Sequence, residues 1–435
     1  MEEKENNKEN EKDNNKENEK DNNNKENEKE KENKEYFEMK QNSSELIVND
    51  KDGKSDNFVI LSKEKEFSDD FGFSDLSFKI IYKDDPLLEH VISHISDYLE
   101  KYSENTEKKC IETLTNFINY DEFSENIINE ILLNGIPESL PCIRPLIWKS
   151  LIGLYPLKKL EKWKNETINR NKNYKKMIEK YNYYPNDVKN EKEINLINQI
   201  NKDLPRTRFD VKIFHDKNKN NEKEINYDVL RRILFFYANE HETLYYVQGM
   251  NEIIAIIFYI FSKDDNPFIQ EYIESDAYYT FEILLEEIKD VFLMENINYS
   301  DLFVTSQIKE IKSIMKKVDS ELFNHFEEVD LQLDNLVMRW ILVLFAQEFV
   351  IDVAVNFWDR LFTQENKMKF ICYISVAIIK MNRENILKMD AGEIMYWGQQ
   401  LQNNMNELDI NNIIKIALDI KHRYNRRESK HIPIK

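Results

Sequence analysis

The sequence predicts an all-α domain behind a disordered low-complexity tail. Three observations carry that prediction. From residue 86 onward, apolar side chains recur at the three-and-four spacing of one helix face in segment after segment. After residue 90 no convincing period-2 alternation, the mark of a half-buried strand, is present. Residues 1–35 use almost only Glu, Lys, Asn and Asp, and the octad Asn-Lys-Glu-Asn-Glu-Lys-Asp-Asn fills positions 7–14 and again 15–22.

That tail has no apolar residue between Met1 and Tyr36. Nothing in it offsets a backbone ordering cost of ~1–2 kcal/mol per residue, and it lacks the apolar seam of a coiled coil. Residues 36–129 read as an N-terminal extension, partly helical, with short extended segments at 59–61 and 71–81. Leu88, Val91, Ile92, Ile95 and Leu99 mark one helix, and Ile111, Leu114 and Ile118 another. A short helix over 123–133 stops at Asn134-Gly135, and Pro137 fits the first turn of the next, which carries the apolar face Ile147, Trp148 and Leu151.

Residues 157–195 read as a polar, Tyr-rich helix and a variable loop. Pro205 fixes its own φ and disfavours the α region at Leu204, which predicts a stiff non-helical corner for Arg206. Residues 217–223 form a polar loop. A polar helix is expected over 227–240, and an uncharged one over 253–261, with Gly249 at the turn between them. Phe281, Leu284, Leu285, Ile288 and Phe292 mark the next helix; Ile308, Ile311, Ile314, Met315 and Val318 mark another. Residues 336–350 read as one apolar helix carrying Arg339-Trp340 and ending Gln347-Glu348-Phe349. Asp352 reads as the cap of the helix that follows, which bears Phe357-Trp358-Asp359-Arg360. Helical segments at 370–381 and 413–418 complete a domain spanning 130–425, with a C-terminal tail at 426–435. Trp148, Trp340 and Trp358 read as core, because large aromatics mostly fill interiors.

Composition excludes several function classes. The formal net charge of −20 repels phosphate backbones, so no nucleic acid is expected as a partner. It also repels anionic lipid, apart from a weak basic cluster at His422, Arg423, Arg426 and Arg427 that reads as a solvated helix end. Of the seven glycines no two are separated by a single residue, and no Gly-Lys-Ser/Thr occurs. The glycine-rich loops that cradle a nucleotide are therefore absent. Cys110, Cys142 and Cys372 are scattered, with no Cys-x-x-Cys, as expected of reduced thiols in a cytoplasmic protein. No secretory signal is read at the start, and the longest apolar runs are about half of the ~20 residues that span a bilayer. His90 and His94 have the spacing of two metal ligands on one helix face, but no Cys or third His is near them in sequence, so no metal site is expected.

Two stretches then stand out. One is Ile200-Asn201-Lys202-Asp203-Leu204-Pro205-Arg206-Thr207, the other Tyr246-Val247-Gln248-Gly249-Met250-Asn251-Glu252. Alone, Gln248 reads as a residue of a helix–helix corner and Arg206 as a surface arginine paired with Asp203. Together, Ile-x-x-Asp-x-x-Arg-Thr followed by Tyr-x-Gln-Gly-Met resembles the TBC-domain family of Rab GTPase-activating proteins. Gly135-Ile136-Pro137, Arg144, Trp148, Arg339-Trp340 and Trp358-Asp359 resemble that family's other signatures, although Pro141-Cys142-Ile143 separate Leu140 from Arg144 where the family places Arg directly after Leu. Glu274-x-Asp276 and Gln347-Glu348-Phe349 look closest to compact members without accessory domains.

The resemblance implies a TBC-type helical fold over about two thirds of the chain. It implies a GTPase-activating protein for a Rab-family small GTPase in its GTP-bound state, acting in vesicle traffic. Arg206 and Gln248 are by resemblance the two catalytic fingers. Asp203 and Thr207 support the arginine, and Tyr246, Gly249 and Met250 frame the glutamine. No cofactor of its own is implied, since the Mg-GTP is bound by the partner GTPase. The location implied is cytoplasmic, with at most peripheral association with endomembranes. The rival reading is a TBC-shaped Rab-binding scaffold without turnover.

Overall fold

The computed structural model describes residues 85–101, 141–156, 162–181, 190–215, 225–292, 303–404 and 407–429, with 132, 136 and 183 besides. The tail at 1–35, the extended segments at 59–61 and 71–81, the helices expected near 111–118 and 123–133, Pro137, and the loop at 217–223 lie outside the described residues, Leu132 apart.

Every regular element among the described residues is a helix. In chain order they are α1 Pro86–Lys101, α2 Ile143–Leu151, α3 Trp163–Lys180, α4 Glu191–Asp203, α5 Lys212–His215, α6 Ile225–Glu240, α7 Met250–Ser262, α8 Ile273–Ile288, α9 Phe303–Val318, α10 Ser320–Glu328, α11 Leu333–Leu342, α12 Ile351–Phe362, α13 Lys367–Met381, α14 Arg383–Ile386, α15 Ala391–Gln399, α16 Leu401–Asn404 and α17 Glu407–Ser429.

Two largely apolar, buried helices organise the packing. In α7 every residue from Met250 through Phe261 is buried, and beyond Asn251 and Glu252 in its first turn the buried run is apolar all round. It packs on α2, α6, α8 and α12. In the C-terminal half α13 plays the same part against α9, α11 and α17. Helix α12 touches both groups and joins them. At the end of α17, His422 and Arg423 are exposed, and Arg423 pairs with Asp419 at 2.8 Å, a solvated helix end as expected.

Three expectations are corrected. The helix before Gly249 is not polar: α6 buries Leu230, Ile233, Leu234, Phe235, Phe236 and Tyr237, because α4, α7 and α8 cover it from three sides. The apolar stretch 336–350 is not one helix. It ends at Leu342, and Leu344 and Phe345 take left-handed φ of 50° and 59°. Its carbonyls turn to side chains instead: Leu344 O accepts from Trp358 Nε1 at 3.1 Å, and Ala346 O accepts from Arg208 at 2.6 Å. Asp352 lies inside the first turn of α12, whose N-cap is Val350; the Ile351 N–H is taken by Asp210 Oδ2 at 3.2 Å.

Trp148, Trp340 and Trp358 are wholly buried, as expected. Arg144 has a structural partner. Its Nε lies 3.3 Å from both oxygens of Asp359, and Trp148 Nε1 donates to the same carboxylate at 2.8 Å. Burial raises the Asp359 carboxyl above the usual range, and Arg144 and Trp148 pull against that. Asp359→Ala removes the acceptor and leaves a buried indole N–H and a guanidinium unpaired. It is expected to cost about 3–5 kcal/mol in urea unfolding, the scale for breaking a buried pair, and an unchanged midpoint would contradict this role.

Candidate functional site

The arginine motif grows out of α4. Asn190 and Glu193 form a capping box that starts this helix, and Leu196 and Ile200 bury its inner face. A 3-10 turn, Leu204–Arg206, continues it directly. Leu204 has φ −55° and ψ −45°, so the expected non-helical corner at Arg206 is corrected: the chain stays helical through Arg206 and turns extended at Thr207. Burial of Leu204 and its N–H bond to Ile200 O outweigh the preference that Pro205 imposes. Pro205 itself falls at the second position of the turn, where no backbone N–H is required.

The glutamine motif lies between α6 and α7. Gly249 is the N-cap of α7 with φ +108°, a conformation that L side chains rarely adopt. A Cβ there would also come within 2.7 Å of Val343 Cγ1. Backbone conformation and close approach thus both require glycine. Tyr245, with φ 48°, turns the chain just before the motif, and Arg208, with φ 43°, turns it just after the arginine motif.

One buried hydrogen-bond ring joins the two motifs. Asp203, 4% exposed, accepts from the Arg206 guanidinium on one oxygen and from the Tyr246 hydroxyl on the other at 2.6 Å. Asn251 accepts the Gly249 N–H at 2.9 Å and donates to Thr207 Oγ1 at 2.9 Å. Thr207 Oγ1 donates to the Asp203 carbonyl at 3.0 Å, and the Tyr227 hydroxyl donates to the Thr207 carbonyl at 3.0 Å. Burial, and then the bond to Asp203, raise the Tyr246 phenol far above its usual range, so it stays a donor. Asp203, Thr207, Tyr246, Gly249 and Met250 are buried, whereas Arg206 and Gln248 are exposed, the arginine side chain by 60%.

A third segment closes the site. Arg208 sends its guanidinium into the 343–349 loop, bonding Ala346 O at 2.6 Å and Phe349 O at 3.0 Å. Gln347 donates to Glu252 at 3.1 Å, and Glu348 is held by Arg339 through two bonds of 2.6 and 2.8 Å. Sequence reading gave no role to Asn251, Tyr227, Arg208, Glu252 or Gln347. Asn251 had a signal: an amide in the first turn of an otherwise apolar helix commonly bonds nearby backbone. For the others nothing signalled the pairing, since their partners lie far off in sequence. Among the described residues no helix is long and apolar enough to cross a membrane.

The chain matches the Rab-GTPase-TBC domain family over residues 141–387, more than half its length, and it belongs to that family. It is 32% identical over 167 residues to human TBC1 domain family member 13, covering 38% of this chain and 42% of that protein. It is 24% identical over 258 residues to the Saccharomyces cerevisiae GTPase-activating protein GYP1, covering 55% of this chain and 37% of that one. The chain thus spans less than half the length of either relative. The crystal structure of the Ypt/Rab-GAP domain of Gyp1p shares the fold, with a TM-score of 0.63 at 21% identity over 74% of this chain and all of that one.

Glu252 sits under the glutamine motif, 3% exposed. Burial pushes its carboxyl up to about 7, against the bond from Gln347 and the charge of Arg208. The folded chain then holds this proton more tightly than the unfolded chain, whose glutamate titrates near ~4.3. Stability contributed by the protonated form is full below the unfolded value and is lost as pH rises through about 7. Glu252→Gln is therefore expected to flatten the fall in melting temperature between about pH 5 and pH 8 relative to wild type. Parallel melting curves for the two proteins across that range would contradict the assignment.

Proposed function

We propose that this chain is a GTPase-activating protein for a Rab-family small GTPase in its GTP-bound state, and that it lends Arg206 and Gln248 in trans to a nucleotide held by the partner. The observation that carries the reading is the shared ring: two motifs some forty residues apart meet at Asp203, Tyr246, Asn251 and Thr207, and Arg206 and Gln248, each beside a buried member of that ring, stay exposed.

The chemistry needs those two groups. In phosphoryl transfer, charge builds on the transferring group and the bridging oxygen, and a planar guanidinium that stays charged neutralises it. Such a finger is worth ~10³–10⁵ in rate, or about 4–7 kcal/mol. The attacking water needs an acceptor to orient it, and a carboxamide offers an acceptor oxygen and donor N–H groups together. In the free chain Arg206 rests on Asp203. On the partner it exchanges that carboxylate for phosphate oxygens, and Asp203 keeps Tyr246 as its donor. Asp203, Thr207, Tyr246 and Gly249 are then positioning residues. Mg²⁺ and GTP arrive on the partner, and the chain brings no cofactor to the reaction. Its place is the cytoplasm, with at most peripheral contact with endomembranes, and its role is to regulate vesicle traffic.

The test is single-turnover GTP hydrolysis across a panel of purified Rabs. Wild type is expected to accelerate at least one of them. Arg206→Ala should lose ~10³-fold or more and Gln248→Ala ~10²-fold or more, with helicity and Rab binding retained. Binding without acceleration by wild type would establish the scaffold without turnover instead, and acceleration unchanged in either variant would overturn that residue's role as a finger.

A further inference from the structure

We propose that His90, His94, Cys142 and Asp265 form a binding site for one divalent transition-metal ion of the zinc type. No Cys or third His lies near His90 and His94 in sequence, which is why no site was expected there. The fold supplies what the local sequence lacks. It sets Cys142, at the N-cap of α2, and Asp265, in the loop after α7, against the side of α1 that carries both histidines.

The donor atoms of His90, Cys142 and Asp265 lie within 4.8 Å of one another. His90 Nε2 is 3.0 Å from one Asp265 oxygen, and His94 Nε2 is 2.8 Å from the other. The two imidazole rings are 4.1 Å apart. Tetrahedral zinc with nitrogen, oxygen and sulfur ligands at ~2.0–2.3 Å holds its donor atoms about 3.3–3.6 Å from each other. His90, Cys142 and Asp265 reach that spacing by drawing their donor atoms together, and His94, outside that trio but 2.8 Å from Asp265, swings in as the fourth ligand.

Hydrogen bonding points to a cation. His94 Nδ1 lies 3.2 Å from the His90 carbonyl oxygen, which can only accept, so the ring carries a proton on Nδ1. Nε2 of a neutral His94 ring is then a bare lone pair, and it faces a carboxylate oxygen at 2.8 Å. Either a second ring proton or a metal ion must lie between them, and only the metal also engages His90 and Cys142. A ring nitrogen fixed by a backbone carbonyl on its far side is also the arrangement in which metal-bound histidines are held.

The site is placed by packing. Leu87, Leu88 and Val91 bury the inner face of α1, and Asn266 Nδ2 donates to the Leu87 carbonyl at 3.2 Å. Cys142 closes the buried side of the cluster and makes no side-chain bond to the helix it caps. Asp265, with 43% of its side chain exposed, leaves the other side open to solution. Two neutral imidazoles, one thiolate and one carboxylate make a neutral complex with a dication; the thiol proton leaves to the buffer on binding. Four protein ligands leave no open position, so the ion staples α1 to the domain and does no chemistry.

The test uses the full chain stripped with a chelator and titrated with Co²⁺ as the probe. One Co²⁺ per chain is expected, with a thiolate charge-transfer band that Zn²⁺ displaces. The band should vanish in Cys142→Ser and persist in Cys372→Ser and Cys110→Ser. Asp265→Asn, on the exposed rim, should weaken binding at least about tenfold while circular dichroism stays native, the scale on which loss of a metal-site contact is felt. Zn²⁺ should raise the melting temperature of wild type and not of Cys142→Ser. Absence of the charge-transfer band in wild type, or its survival in Cys142→Ser, would overturn the site and leave an imidazolium–carboxylate cluster in its place.

Discussion

The carboxylate of Asp203 is the constraint on which the site depends. A buried carboxylate is tolerable only when its oxygens are paired. Here one oxygen takes the guanidinium of Arg206 and the other the hydroxyl of Tyr246. Those donors belong to different motifs, so satisfying a single buried charge fixes the position of one motif relative to the other. Asn251 repeats the link a few ångströms on, joining the Gly249 backbone to Thr207. Arg208 and Tyr245 hold left-handed φ values on either side of this ring. Such backbone conformations cost of order 1–3 kcal/mol each and persist only where the surroundings over-determine them.

The 343–349 loop is the other half of that surrounding structure. It is irregular backbone rich in apolar residues: Val343, Leu344, Phe345, Ala346 and Phe349 are all buried. A buried loop must find partners for its carbonyls, and here Arg208 and Trp358 supply the donors. Val343 closes on Gly249, Gln347 reaches Glu252, and Arg339 holds Glu348. The site is therefore built from three segments that meet only in the folded chain, with two of them presenting the exposed side chains.

Much of the fold was legible in the sequence, because helical periodicity is a local signal. Gly249 was legible for the same reason, as was the core placement of the three tryptophans. What was not legible depends on distant partners. Leu344 and Phe345 are poor candidates for left-handed backbone, and no glycine or asparagine marks the break that splits 336–350; the break becomes clear only with Trp358 and Arg208 in view. Asp352 looked like a cap, yet Asp210, far upstream, takes the first N–H of α12. Pro205 argued against a helical Leu204, and burial of Leu204 decided otherwise. The departure at Pro141-Cys142-Ile143 did not displace Arg144 from a partner, since Asp359 receives both it and Trp148. At the candidate site, Arg206 and Gln248 were singled out by resemblance alone, whereas the ring that connects their motifs required the pairing of Asn251 with Thr207.

The proposed function is a division of labour on this buried frame: Arg206 and Gln248 would bring the cation and the amide, and the partner the nucleotide and its magnesium. The most direct test is to measure GTP hydrolysis by a responsive Rab whose own catalytic glutamine has been replaced, with and without this protein. If Gln248 supplies the amide in trans, acceleration persists on that Rab and disappears when Gln248 is changed to alanine. Loss of acceleration with the Rab's own glutamine would mean that the water is oriented by the partner, and would contradict the role assigned to Gln248.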